Sequence, residues 1–288
     1  MHDYILALIL GIVEGLTEFL PVSSTAHLRI CQSLLGIALD DGYWKMFAIV
    51  IQLGAILTLP IYFRARIAKF MATFPNGERG DRTVVTHPLT LVAIAFVCTA
   101  APAFLLTKVI GKHLESLVIM GAALVIGGVI MWVIDALYNR QVLATDTRHV
   151  EEMSLGQAVW IGLCQTLSAV FPGTSRSMST IAAGQLAGMS RTAALEFSFF
   201  LSIPTMVVAT GYDLFKGVRP HHGEPAVIGH MAMSAQNWIT LAIGFVVSFI
   251  VAYGVVAWFM NWVRTRGFAP FAAYRIVVGT AVLWFALK

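Results

Sequence analysis

Six apolar stretches of the sequence are each long enough to cross a lipid bilayer, which takes about 20 residues of helix. They lie at roughly 44–63, 88–107, 115–137, 192–213, 238–262 and 270–287. Only 12% of the 288 residues are charged, which is about half the share found in soluble domains. The sequence has no series of alternating strands of about ten residues, so a membrane β-barrel is not expected. The sequence therefore predicts an all-α integral membrane protein with six transmembrane helices.

Two further apolar stretches, roughly 4–35 and 155–189, are interrupted by a proline and a cluster of polar residues. Each is expected to form two short helices joined by a break. Irregular backbone at membrane depth is tolerated only where it is buried in protein or lines a wet cavity. We therefore predict two re-entrant, broken-helix hairpins in addition to the six crossings.

The two broken stretches match each other at a constant offset of 151. IVEGLTEFLPVSSTAHL (12–28) aligns with LCQTLSAVFPGTSRSMS (163–179), which pairs Pro21 with Pro172 and Thr25 with Arg176. Each repeat unit then holds one hairpin and three crossings, and an odd number of crossings inverts the second unit. The sequence thus predicts a single membrane domain, 1–288, built as an inverted repeat of about 1–138 and 152–288. The alternative is chance similarity between two apolar stretches that each contain a proline.

Basic residues are concentrated in alternate loops. One set of loops (64–87, 138–152 and 263–269) holds Arg64, Arg66, Lys69, Arg79, Arg82, Arg140, Arg148, Arg264 and Arg266. The opposite loops hold Lys108, Lys112, Lys216 and Arg219. The positive-inside rule places the first set in the cytoplasm and both termini outside. The net charge of +4 is explained by this anchoring, so no nucleic-acid partner is expected.

Glu14 and Glu18 lie four residues apart in the first broken stretch, so a helix would place both on one face. A charge at the centre of a bilayer costs about 2.5–3.5 kcal/mol on insertion scales, and two like charges also repel each other. A divalent cation, Mg²⁺ or Ca²⁺, would offset both effects, because such ions prefer oxygen ligands. The alternative is one protonated carboxyl group that is stabilised by hydrogen bonds.

Both breaks end in residues that favour a helix start. Ser23, Ser24 and Thr25 follow the first proline, and Thr174, Ser175, Arg176 and Ser177 follow the second. The N-terminus of a helix binds anions through free N–H groups and its positive dipole end, and the planar guanidinium of Arg176 suits phosphate. Alternatively, the hydroxyls only cap helices and Arg176 pairs with a helix C-terminus. Taken together, these residue types favour a phosphate site.

The two signatures EGLTEFLPVSSTAHL and PGTSRSMST resemble those of the bacterial undecaprenyl-diphosphatases, the bacitracin-resistance phosphatases of the inner membrane. The resemblance extends along nearly the whole chain, including KMFAIVIQLGAIL, EFSFFLSIP and PFAAYRIVVG. It implies removal of the terminal phosphate of undecaprenyl (C55-isoprenyl) diphosphate, which returns the lipid carrier to peptidoglycan synthesis. It also implies assistance by a metal and an active site at the outer face of the membrane.

The resemblance assigns catalytic positions to Glu14, Glu18, Ser24, His27 and Arg176, with support from Ser23, Thr25 and Ser175. Thr174 and Ser177 complete the predicted substrate-binding set, and Glu14 and Glu18 are the predicted metal ligands. Ser24 is the expected nucleophile, with His27 as its base. His27 as nucleophile, or attack by a metal-activated water, are the alternatives.

The partners expected are the isoprenyl diphosphate substrate and membrane lipid, and a homodimer is an open option. The competing function is a lipid-phosphate flippase or transporter, because inverted repeats with broken helices are a common transporter plan.

Overall fold

The computed structural model describes residues 2–106, 116–140, 146–218 and 233–288. Its α-helices are α1 (His2–Thr17), α2 (Ser24–Leu34), α3 (Gly42–Tyr62), α4 (Arg64–Thr73), α5 (Pro88–Leu105), α6 (Leu117–Asn139), α7 (Leu155–Val170), α8 (Arg176–Leu186), α9 (Arg191–Val218), α10 (Ala235–Thr265) and α11 (Ala269–Ala286). Within these residues there is no strand, only an isolated bridge between Thr147 and Met189. The all-α prediction is confirmed.

Six helices in the described part of the chain are long and apolar enough to cross a membrane: α3, α5, α6, α9, α10 and α11. They correspond to the six predicted crossings. The helix α4 and a 3₁₀ turn at Val150–Glu152 were not predicted. Of the loop residues used to predict orientation, Lys108, Lys112 and Arg219 lie outside the described residues.

Each broken stretch folds as two short helices, as predicted. α1 and α2 are separated by residues 18–23, and α7 and α8 by residues 171–175. α1 and α7 have 16 residues each, and α2 and α8 have 11 each. All four are shorter than the length of about 20 residues that a crossing requires. Their re-entrant course in a membrane remains a prediction.

The chain divides into two compact units. The first comprises Met1–Phe19, Ser24–Tyr62 and Ser202–Ala257, and the second comprises Leu20–Ser23, Phe63–Leu201 and Trp258–Lys288. Each unit therefore combines parts of both predicted repeats. The short segment Leu20–Ser23, which belongs to the first break, is assigned to the second unit together with the whole second break.

Small residues let helices approach closely within each unit. In the first unit, a Cβ atom on Gly15 of α1 would lie 2.8 Å from the carbonyl oxygen of Ser248 on α10. In the second unit, a Cβ atom on Gly279 of α11 would lie 2.8 Å from the carbonyl oxygen of Gly121 on α6. Close backbone approach at small residues is typical of helix packing in membranes. These contacts hold α1 against α10 and α11 against α6.

A cluster of charged residues joins α4, the 3₁₀ turn and α9 in the second unit. The guanidinium of Arg66 donates to both carboxylate oxygens of Glu151, and its Nε donates to Glu196 Oε1 at 2.8 Å. Burial is the largest single influence and would raise the pKa of Glu151, but the hydrogen bonds and charge of Arg66, together with a backbone hydrogen bond, outweigh it and lower that pKa below its ordinary value. The ion pair therefore stabilises the fold only while Glu151 is charged.

Glu151→Gln should destabilise the protein in a pH-dependent way. The pKa of Glu151 is lower in the folded state, so its stabilising effect is present above the ordinary carboxyl pKa of 4.5 and is lost as the pH falls through the folded value. At pH 7 we expect a loss of about 1 kcal/mol, or roughly 2–4 °C in Tm. The loss should become smaller as the pH falls below 4.5, and the variant and the wild type should converge below the folded-state pKa of Glu151.

The measurement is thermal unfolding in detergent at pH 7 and pH 4. Glu78→Gln is the matched control, because its ion pair with Lys69 joins side chains that are 57% and 46% exposed and such pairs contribute little. An equal loss of Tm for Glu151→Gln at both pH values would contradict the electrostatic explanation.

Candidate active site

The two acidic residues lie buried at the end of α1. Glu14 is fully buried and Glu18 is 6% exposed. The N–H of Glu18 donates to the carbonyl oxygen of Glu14 at 2.9 Å, so the helical turn continues past Thr17, the last residue of α1. Two buried carboxyl-bearing residues thus lie one turn apart at the end of α1.

Ser24 forms a short hydrogen bond with one of these acids. Ser24 is the first residue of α2, and its hydroxyl donates to Glu18 Oε2 at 2.5 Å. A carboxylate that accepts the proton of a hydroxyl is placed as a general base for that hydroxyl. The sequence predicts Glu18 as a metal ligand and His27 as the base of Ser24. The hydrogen bond makes Glu18 a second candidate for that base, which was not predicted.

The other two predicted residues of α2 differ in exposure. His27 lies one helical turn after Ser24 and is half-buried, whereas Thr25 is exposed. Residues three apart on a helix share a face, so His27 stays a candidate for proton transfer beside Ser24.

The acidic residues are compatible with a magnesium ion. Among the residues the structure describes, no group of three or more His, Cys, Asp or Glu side chains could hold a metal ion. Mg²⁺ keeps several of its waters and is commonly bound by one or two carboxylates together with substrate phosphates, whereas Ca²⁺ takes six to eight oxygen ligands. The buried pair Glu14 and Glu18 fits the first pattern better than the second.

The second break ends in a capped helix that begins with an arginine. The hydroxyl of Ser175 accepts a hydrogen bond from the Met178 N–H at 3.3 Å, and Arg176 is the first residue of α8. A cation in the first turn of a helix is unfavourable by about 0.3–1 kcal/mol, because it meets the positive dipole end. An anion bound there would reverse this effect.

A second observation at this helix start also favours an anionic ligand. The hydroxyl of Ser177 is buried and has no hydrogen-bond partner in the part of the chain that the structure describes. A buried polar group usually has a partner in the protein, in water or in a ligand. Ser175, Arg176 and Ser177 thus lie together at a helix N-terminus, as predicted for a phosphate site.

The two breaks share an unusual backbone feature. Ser23 and Ser175 have φ values of 74° and 71°, in the left-handed region that few residues other than glycine adopt. Each is followed directly by the first residue of a helix, Ser24 in one break and Arg176 in the other. The two helix starts are 152 residues apart, not 151. The predicted pairing of Arg176 with Thr25 is therefore wrong by one residue, and Arg176 corresponds to Ser24.

The shift of one residue lies between the buried polar position of the first helix and the start of the second. Glu14 and Gln165 are both buried, in agreement with an offset of 151 at that point. In this register α7 ends two residues later than α1, and the second break is one residue shorter than the first, so α8 begins one residue later than the offset predicts. Gly173 in the second break has a φ of 95°, a conformation that is readily accessible to glycine.

The helix α11 contributes a residue that the sequence analysis did not assign to the site. Arg275 is fully buried. Its Nη1 donates to the carbonyl oxygen of Pro21 at 3.0 Å, and its Nη2 lies 3.1 and 3.0 Å from the carbonyl oxygens of Gly173 and Thr174. One guanidinium therefore contacts the backbone of both breaks, and all of these residues belong to the second unit. The available signal was an arginine within the apolar stretch PFAAYRIVVG.

An apolar groove of about 530 Å³ lies next to the second break. It is bounded by α6, α7 and α8, and its lining includes Ile119, Ile126, Cys164, Leu167, Thr174 and Met178. Thr174 belongs to the break and Met178 to the first turns of α8. The groove thus connects an apolar surface with the polar start of α8.

The sequence profile of the Bacitracin resistance protein BacA family matches residues 7–281. The chain belongs to this family. A protein of Koribacter versatilis (strain Ellin345) named undecaprenyl-diphosphatase is 70% identical over 288 residues, which is the whole of both chains. Proteins of the same name from Caldanaerobacter subterraneus subsp. tengcongensis and Wolinella succinogenes are each 40% identical, over 99% and 98% of this chain and 96% and 98% of their own.

The start of α8 should bind diphosphate through the two-point fork of Arg176. Inorganic diphosphate should therefore raise the Tm of the wild-type protein, and Arg176→Lys should weaken this binding although it keeps the charge. The loss of one charge-assisted contact is worth about 1.5–3 kcal/mol, which is roughly 10- to 150-fold in Kd. The measurement is Tm as a function of diphosphate concentration.

Arg264→Lys is the control, because Arg264 lies in the last turn of α10 and has no predicted role in the site. Equal diphosphate affinity in Arg176→Lys and the wild type would remove Arg176 from the proposed anion site.

Proposed function

We propose that this protein removes the terminal phosphate of undecaprenyl diphosphate and thereby returns the lipid carrier to cell-wall synthesis. The observation that carries the proposal is the 2.5 Å hydrogen bond from the Ser24 hydroxyl to buried Glu18. It pairs a nucleophile with a base inside an apolar domain, which is what hydrolysis requires and transport does not. Membership of the bacitracin-resistance family and the name shared by the relatives supply the substrate.

In the proposed reaction, Ser24 Oγ attacks the terminal phosphorus atom as its proton moves to Glu18 Oε2. A bond forms between Oγ and phosphorus, the bond to the bridging oxygen breaks, and undecaprenyl phosphate leaves with that oxygen. Water then displaces the phosphoryl group, Ser24 Oγ recovers the proton from Glu18, and orthophosphate is released. Covalent catalysis of this kind divides one difficult step into two easier ones.

His27 remains the alternative nucleophile, and direct attack by water remains the third route. With His27 as the nucleophile, Ser24 would orient the phosphate. With direct attack by water, Glu18 would accept a proton from that water.

The residues at the two helix starts would bind the diphosphate group. Arg176 would bind it as a planar fork, and the free N–H groups at the starts of α2 and α8 would stabilise its charge. Hydroxyl donors at these starts are Ser23, Thr25, Thr174, Ser175 and Ser177. Two observations support this assignment: the Ser177 hydroxyl is buried without a hydrogen-bond partner among the described residues, and an arginine lies in the first turn of α8.

Glu14 and Glu18 would hold a divalent cation, and their donor set fits Mg²⁺. Such an ion, when bound, neutralises charge that develops on phosphoryl oxygens.

The prenyl chain would lie in the apolar groove between α6, α7 and α8, because the groove leads to Thr174 at the start of α8. The charge bias of the loops supports a site at the outer face of the bacterial plasma membrane. A flippase built on the same fold is the competing function, and it would move the lipid without releasing phosphate.

Purified protein in detergent should release orthophosphate from undecaprenyl diphosphate, a condition in which transport cannot be scored. Ser24→Ala and Glu18→Gln should each lower turnover by about 10²- to 10⁴-fold, because each removes a participant in proton transfer or attack. Ser33→Ala, the same substitution at an exposed position of α2, should have little effect. A chelator should also lower turnover.

No phosphate release by the wild-type protein would contradict the phosphatase and favour the flippase. Full activity in excess chelator would remove the metal from the proposal but leave Ser24 and Glu18 in place.

A further inference from the structure

We propose that Arg275 is a positioning residue that sets the geometry of both helix breaks for this reaction. The inference rests on the proposed function, because it explains how Ser24 and Arg176 are held in place. Arg275 lies on α11, far along the sequence from both breaks. It is not one of the site residues that were predicted from the sequence.

The hydrogen bonds of Arg275 are directed to main-chain oxygens. Four carbonyl groups accept them: Pro21 in the first break, Gly173 and Thr174 in the second, and Ala123 of α6. All four distances lie between 3.0 and 3.1 Å. A buried charge is unfavourable unless hydrogen bonds satisfy it. We therefore expect a fully buried arginine that donates to main-chain carbonyl groups to hold those segments in place.

The contacted carbonyl groups occupy the same position in the two breaks. Pro21 lies two residues before Ser23, and Gly173 lies two residues before Ser175. Ser23 and Ser175 are the two residues other than glycine with positive φ in the part of the chain that the structure describes. An unfavourable backbone conformation persists only where the surroundings enforce it. Arg275 supplies one such constraint to each break with a single planar group.

The chain makes room for this group with a glycine on the neighbouring helix. A Cβ atom on Gly127 of α6 would overlap Nη2 of Arg275 and would lie 2.7 Å from the terminal methyl group of Met178. Alanine at this position would therefore displace the guanidinium from the carbonyl groups of the second break. A lysine at position 275 would keep the positive charge, but its compact ammonium group lacks the fork that reaches several oxygens at once.

The breaks determine where the reacting groups lie. Ser24 follows Ser23 directly, and Arg176 follows Ser175 directly, so a shift of either break moves the first residue of α2 or α8. Small misplacements of reacting groups lower rates strongly, by as much as about 10²-fold for 1 Å. Loss of the hydrogen bonds from Arg275 to the two breaks should therefore reduce turnover more than it weakens substrate binding.

The test compares Arg275→Lys and Gly127→Ala with Gly121→Ala. Gly121 lies on the same helix and faces the same partner: a Cβ atom there would lie 2.8 Å from Cγ of Leu283 on α11. Gly121→Ala thus disturbs the packing of α6 against α11 without touching Arg275. Two quantities are measured for each protein, namely hydrogen exchange in peptides that cover the two breaks, and kcat and KM for phosphate release from undecaprenyl diphosphate.

Arg275→Lys and Gly127→Ala should speed exchange in both breaks together and lower kcat by about 10- to 100-fold, with KM changed by less than about threefold. Gly121→Ala should lower Tm with near-normal kcat and unchanged exchange in the breaks. Unchanged exchange in both breaks, or a fall in kcat no larger than that of Gly121→Ala, would overturn the proposal. Failure of the wild-type protein to release phosphate would instead refute the proposed function. The exchange data would then show only whether Arg275 holds the backbone of the two breaks.

Discussion

Backbone groups that leave a helix inside an apolar domain must find hydrogen-bond partners, because lipid offers none. This chain interrupts its apolar helices twice, at residues 18–23 and 171–175. Carbonyl groups from both breaks accept hydrogen bonds from the guanidinium of Arg275. One buried arginine thus supplies hydrogen-bond donors to both irregular segments. The carbonyl groups of Pro21 and Gly173 are thus satisfied although neither lies in a regular helix.

The two breaks carry complementary chemistry. The first contains the acids and the hydroxyl that would do the chemistry, since Ser24 donates to buried Glu18. The second contains Arg176 in the first turn of α8, where its charge meets the positive end of the helix dipole and would be stabilised by a bound anion. The corrected register places Ser24 and Arg176 at equivalent positions. In the first repeat Ser24 would attack the phosphate at this position, and in the second Arg176 would bind it.

Much of the fold could be predicted from the sequence because it follows from local composition. The six crossings are long apolar stretches, and proline with polar neighbours marks both breaks. Candidate site residues can also be selected from the sequence, since carboxylates such as Glu14 and an arginine such as Arg176 are conspicuous in apolar surroundings, and their roles remain predictions. These features need no knowledge of the tertiary structure.

What the sequence did not predict depends on contacts between distant residues or on backbone conformation. Arg275 and Pro21 are 254 residues apart, and no pattern links them. Ser24 and Glu18 are only six residues apart, but the break between them decides whether they meet, so His27 was chosen as the base. The assignment of Leu20–Ser23 to the second compact unit likewise depends on tertiary packing, which the sequence pattern does not contain.

The central claim is that Ser24 attacks phosphorus with Glu18 as the acceptor of its proton. The most direct measurement is rapid acid quenching of the purified protein during turnover of undecaprenyl diphosphate labelled in its terminal phosphate, followed by peptide mapping. Our account predicts an acid-stable phosphoserine in the peptide that contains Ser24, formed in the first turnover and lost in Ser24→Ala. Label that is acid-labile and maps to His27, or turnover without any labelled protein, would contradict it.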